Sequence, residues 1–147
     1  MNNHFYQKYL KYKQKYLYLL NQIGSATEPF YNNIEQTTIS NTHYRNILYT
    51  SKSQQIVVMS IKPNDNIHKE IHKDHDQFIR IEKGVGKAII DDKEYQLLDG
   101  IALIIPAGTT HEIINTSNTE DLKLYTIYSP PEHKENLVQH DKPLDDL

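Results

Sequence analysis

The stretch GIALIIPAGTTHEIIN, residues 100–115, decides the fold. It opens at an Asp99-Gly100 turn and runs through apolar Ile101 to Ile105. Pro106 and Gly108 then interrupt it, and a second run extends from His111 to Asn115. Proline presets φ and lacks an N–H for a ladder, whereas glycine tolerates φ > 0. The pair predicts a tight corner between two strands. A histidine just beyond a rigid corner has a fixed direction, so His111 is the first candidate functional residue.

Outward from this stretch the same texture repeats. Residues 47–49, 55–62, 77–82, 87–91, 94–97, 101–105, 111–115 and 122–128 are short runs rich in β-branched or aromatic residues. Pro63-Asn64, Gly84 with Gly86, Asp91-Asp92, Asp99-Gly100 and Ser117-Asn118 separate them. Short strands at this spacing predict an all-β sandwich or barrel. Residues 46–131 are expected to form it. Residues 25–45 read as a polar linker with a lead-in strand, and residues 132–147 as a tail that wraps or frays. Residues 4–23 read as a helix, with Phe5, Tyr9, Tyr12, Tyr16, Leu19 and Ile23 recurring every three or four positions and Gly24 as its stop.

The chain has 147 residues and a net charge of -3, which gives no general pull toward nucleic acid. The charge is uneven. Residues 1–24 carry Lys8, Lys11, Lys13 and Lys15 and no acid, leaving -3 - 4 = -7 for the rest. This lysine stripe beside tyrosines suits a helix docked on the domain or on a partner, or one lying on a membrane surface. The absence of cysteine excludes disulfides and thiolate metal sites. No apolar run is long enough to span a bilayer, and no signal-peptide pattern is present, so a cytoplasmic location is expected. The opening HFYQKYLKYKQKYLYLL resembles the lead segments of proteins of giant DNA viruses of amoebae, which would place the protein in the host cytoplasm or the virion.

Upstream lies a second cluster, Glu70-Ile71-His72-Lys73-Asp74-His75-Asp76-Gln77. Glu70 and His72 are two apart, hence on one face if extended. Gln77 begins a strand whose inward row would be Gln77, Ile79 and Ile81. Taken with Gly100, Pro106, Gly108, His111 and Asn115, which fit G-x5-P-x-G-x2-H-x3-N, this cluster resembles the paired motifs of the cupin superfamily. The likeness to small single-domain cupins spans about residues 33–141 and excludes the N-terminal helix. Three positions of the first motif depart from the pattern: Asn64 stands for glycine, Glu70 for the first histidine and Gln77 for the glutamate.

The resemblance implies a cupin-type β-barrel (a double-stranded β-helix, or jelly roll), a homodimer, and one divalent metal held inside the barrel by Glu70, His72, Gln77 and His111. These four sum to one negative charge, as does the usual set of three histidines and a carboxylate. Two histidines and a carboxylate suit Fe(II), Mn(II) or Zn(II), with Ni(II) also admissible. Carboxamide oxygen is the weaker donor, which leaves Gln77 as ligand or as a group behind the ligands. The implied activity is metal-dependent chemistry on a small polar substrate, either sugar or sugar-phosphate isomerisation with Glu70 moving a proton, or oxygen-dependent cleavage. A non-catalytic small-molecule-binding cupin and a virion-associated scaffold are the alternatives, as is loss of the metal. His68 and His75 read as surface histidines. Gly84-Val85-Gly86 reads as a turn rather than a phosphate loop, and only Lys73, Arg80 and Lys87 lie near the motifs in sequence as basic groups.

Overall fold

The structure, a computed structural model, describes residues 7–13, 15, 26 and 28–144. Among the described residues, ten strands form two antiparallel sheets that face each other. β1 (Arg45–Thr50), β2 (Gln55–Ile61), β4 (Asp76–Lys83), β7 (Ala102–Ile105), β9 (Leu122–Ser129) and β10 (Val138–Gln139) make the larger, in the order β10-β1-β2-β9-β4-β7. β3 (Asn66–Ile71), β5 (Gly86–Ile90), β6 (Lys93–Leu97) and β8 (Thr110–Asn115) make the smaller, in the order β3-β8-β5-β6. The barrel expected from the strand spacing is therefore present.

The period-two pattern decides which side chains enter it. On β9, Leu122, Leu124, Thr126 and Tyr128 are buried, while Lys123, Tyr125, Ile127 and Ser129 are partly exposed. On β4 the inward row is Gln77, Ile79 and Ile81, as its sequence predicts. On β8 it is His111, Ile113 and Asn115. Met59, Ile61, Ile79, Ile81, Leu124 and Ile113 fill the middle with no exposure at all. Burying one such side chain contributes roughly 1.5–3 kcal/mol. Apart from Asn115 at the far end of β8, the polar inward residues of these strands collect at one end: Gln77 near the start of β4, His111 near the start of β8, and Thr126 and Tyr128 near the end of β9. The barrel is thus apolar below and polar at its mouth.

Two segments hold more structure than their composition announces. The stretch read as a linker contains α1 (Ile34–Ser40), capped by the Asn33 side chain accepting from the Gln36 N–H at 3.1 Å. It packs on the larger sheet against β2, β4 and β9. The tail supplies β10, which pairs with β1, and Arg45 Nη1 donates to Gln139 Oε1 at 2.6 Å. A two-residue strand leaves no periodicity to detect. Of the helix read over residues 4–23, residues 7–13 and 15 are helical, and the others lie outside the described residues. No helix among the described residues is long and apolar enough to cross a membrane.

The opening stretch forms β7, a corner and β8. Gly108 has φ +82°, the left-handed conformation that only glycine adopts cheaply. At the far end Asn115 is 1% exposed. Its Nδ2 donates to the carbonyls of Ile61, Lys62 and Glu120 at 2.9, 3.1 and 2.8 Å, and its Oδ1 accepts from the Ser117 N–H. The last residue of the motif is therefore a clamp at the closed end of the barrel, away from His111. Asn115→Asp keeps the shape but turns an acceptor toward three carbonyls. It should lower stability by about 3 kcal/mol or more, measured as a shifted urea midpoint, while leaving the mouth unaltered.

Candidate metal centre

Strand register builds the centre. Glu70 on β3 sits directly opposite His111 on β8. His72 lies one residue past the end of β3, beyond the exposed Ile71. A register shift between Ile67 and Glu70 precedes the site. Glu70 Oε1 lies 3.0 Å from His72 Nε2 and 3.4 Å from His111 Nε2. The ligand atoms of all three residues fall within 4.8 Å of one another.

The hydrogen bonds assign the proton on His111. Its Nδ1 lies 3.1 Å from the Thr109 carbonyl oxygen, which can only accept, so Nδ1 carries the proton. On the neutral ring Nε2 then presents a lone pair toward the Glu70 carboxylate. Two such groups repel unless a cation, either a proton or a metal ion, lies between them. Nε2 is buried without a hydrogen-bond partner. Gln77, 1% exposed, shows the same incompleteness. Its Nε2 donates to Thr126 Oγ1 at 3.1 Å and to Tyr128 Oη at 3.2 Å, while its Oε1 is buried and unpartnered. Lone pairs left without donors are costly in a neutral pocket and useful around an ion. The residues present fit a divalent metal, with Glu70, His72 and His111 as the converging set and Gln77 Oε1 as a buried, unpartnered oxygen on β4 of the facing sheet.

The site extends beyond the residues its motifs identify. His75 is not a surface histidine: it is 5% exposed, with its ring centroid 4.4 Å from that of His72. Its Nδ1 lies 3.4 Å from Glu132 Oε2, and His72, His75 and Glu132 form a second group with metal-ligand spacing. Tyr128 stands edge-on to His72, His75 and His133, at 5.7, 5.5 and 5.1 Å. Glu132 and His133 arrive because the chain turns back over the mouth after Pro130-Pro131. There the carbonyl of His133 accepts from Gln55 Nε2 at 2.8 Å. A histidine and a carboxylate just past the last barrel strand were the sequence signal for this. His68, on β3, belongs to neither group.

Electrostatics follow from this crowding. Burial opposes ionisation of Glu70, but interaction with His111 and His72 prevails and holds the carboxyl far below its usual range. Burial, assisted by His72 and Lys15, pushes His75 down to about 4. Burial, assisted by Arg45, pushes His133 down to about 3. Burial raises Glu132 and holds the Tyr128 hydroxyl protonated. The mouth thus presents one firm carboxylate, Glu70, and two imidazoles, His75 and His133, that burial holds neutral.

A double sheet closed into a barrel, with a His/Glu group that could hold a metal at its mouth, defines the class of fold, and the comparisons make the assignment specific. The cupin domain profile matches residues 57–128. An uncharacterized protein of Acanthamoeba polyphaga mimivirus is 47% identical over 114 residues, covering 76% of this chain and 71% of that protein. The uncharacterized YrkC protein of Bacillus subtilis is 41% identical over 121 residues, covering 78% of this chain and 64% of its own length. The crystal structure of a Bacillus halodurans protein superposes with a TM-score of 0.75 at 37% identity, covering 78% of this chain and 91% of that one. The chain belongs to the cupin family.

His133 gives the site a pH dependence with a definite sign. It is neutral when folded, so below its ordinary value of 6.5 the unfolded chain takes up the proton first. Stability should fall as pH drops from about 6.5 toward 3. His133→Gln should flatten that slope, read as urea midpoints at pH 6.5 and 4.5 for the two proteins.

Proposed function

We propose that the chain binds one divalent transition metal through Glu70, His72 and His111, with Gln77 Oε1 as a fourth donor, and acts as a metal-dependent enzyme on a small polar substrate. The observation that carries this reading is the pair of buried lone-pair atoms without donors, His111 Nε2 and Gln77 Oε1, beside an anionic Glu70. A bound ion would supply Lewis acidity, or a site for dioxygen if it is iron. Both isomerase-like and dioxygenase-like chemistries are compatible with such a donor set.

The protein's own groups divide the remaining work. Glu70, committed to two histidines, is better suited to holding the ion than to moving a proton. Glu132 has a carboxyl raised by burial and borders the mouth, so it is the stronger candidate for holding a proton near a substrate. Tyr128 Oη and Thr126 Oγ1 accept from Gln77 Nε2, which orients that amide and turns its Oε1 away from the two hydroxyls.

Elemental analysis of protein purified without a histidine tag should find close to one transition-metal ion per chain, with a higher melting temperature than chelator-treated protein. His111→Ala should lose the metal. Gln77→Glu, which places a carboxylate beside the Thr126 and Tyr128 hydroxyls, should tighten metal binding by about 10-fold or more. Metal-free native protein whose melting temperature does not respond to added Mn(II), Fe(II) or Zn(II) would leave the barrel as a metal-free binding module.

A further inference from the structure

A second cavity feature is carried by residues outside the cupin motifs. The helical residues 7–13 and 15 lie over the barrel mouth and close one side of a cavity of about 570 Å³. Lys8, Lys11 and Lys15 line it from above, Lys73 from the side, and His72 and His75 from the barrel. That volume lies within the range of small-molecule sites. Lysines at positions 8, 11 and 15 fall on one helix face by their spacing. Lys15 Nζ contacts Asp74 Oδ2 at 3.2 Å, which ties this helix to the loop bearing His72 and His75. Among the described residues Lys8, Lys11 and Lys73 have no carboxylate partner. Counting the fixed charges alone, four ammonium groups against the Asp74 and Glu132 carboxylates leave the lining at 4 - 2 = +2.

Like charges held around a concave space repel one another, and an anion placed among them relieves that repulsion. His72 borders this cavity and also belongs to the candidate metal centre. An anion seated under the lysines would therefore adjoin the ion. We propose that the N-terminal helix is a cationic cover that gives the site its substrate class, a small oxyanion bearing a carboxylate or a phosphoryl group. The substrate role rests on the metal-centre reading above; the anion site itself does not.

Titration calorimetry on the full chain, freed of metal with a chelator and held at low ionic strength, tests this with inorganic phosphate and with malonate as probes. The native protein should bind at least one of them, and binding should weaken as salt rises. The double variant Lys8→Ala/Lys11→Ala should bind about 10-fold more weakly or worse, while Lys83→Ala, at the opposite end of β4, should match the native protein. Tighter phosphate binding assigns a phosphorylated ligand, and tighter malonate binding a carboxylate. The proposal is overturned if neither probe binds the native protein, or if the double variant binds as tightly as the native one. Metal content separates the two readings. The lysine variant should keep its metal, and His111→Ala should lose metal yet still bind the anion.

Discussion

Beyond the end of the β3–β8 ladder, one backbone hydrogen bond ties the Pro106–Gly108 corner to the loop of the site. The Gly108 N–H donates to the His72 carbonyl at 2.7 Å, and beside it the Ala107 N–H donates to Asp76 Oδ1 at 2.9 Å. The Pro106–Gly108 corner thereby grips the loop that carries His72 and His75. Gly108 reaches this position at φ +82°, and a Cβ there would meet nothing within 4 Å. The requirement is thus conformational and not one of space. His111 follows three residues later, aimed by the same corner, with its ring fixed through Nδ1 at the Thr109 carbonyl. Relaxing the corner would change two ligand directions at once, because both depend on the one contact.

The polar end of the barrel carries a cost that the apolar end offsets. Gln77, His75 and His111 are almost wholly buried, and each keeps one side-chain atom without a donor or acceptor. Each such atom would destabilise an ordinary core by about 1–3 kcal/mol. A fully packed apolar middle, with Met59, Ile61, Ile79, Ile81, Ile113 and Leu124 at zero exposure, makes that expense tolerable. At the closed end the polar residue Asn115 is fully satisfied, with every side-chain donor and acceptor engaged. The contrast between the two ends of β8 distinguishes a structural polar residue from one kept ready for a ligand, and it does so within a single five-residue span.

The barrel was legible because its signals are local. Period-two alternation on β4 and β9 and the glycine and proline corners are written in adjacent residues, and Gln77, Ile79 and Ile81 turn inward as that alternation requires. Glu70, His72 and His111 were legible through motif spacing, and register then places Glu70 opposite His111. What escaped depends on contacts between distant segments. His75 looks solvated among Lys73, Asp74 and Asp76, yet it is buried by Tyr128 and Glu132, more than fifty residues away. The polar segments 25–45 and 132–147 conceal α1 and β10, because seven and two residues are too few to show a period.

The N-terminal lysines change meaning for the same reason. In sequence they lie about sixty residues from the first motif, and their +4 against -7 elsewhere reads as a general attraction between a helix and an acidic domain. Diffuse attraction alone would pair each lysine with the nearest acid. Among the described residues Lys15 does so, with Asp74, while Lys8 and Lys11 line the same cavity as His72 and His75. A surface ion pair such as Lys15–Asp74 is worth no more than about 1 kcal/mol, so its chief effect here is positional. It ties the helix to the loop bearing His72 and His75, and Lys8 and Lys11 on the same helix line the cavity there. The barrel supplies rigid donors and the added helix supplies charge, and neither segment alone encloses the space between them.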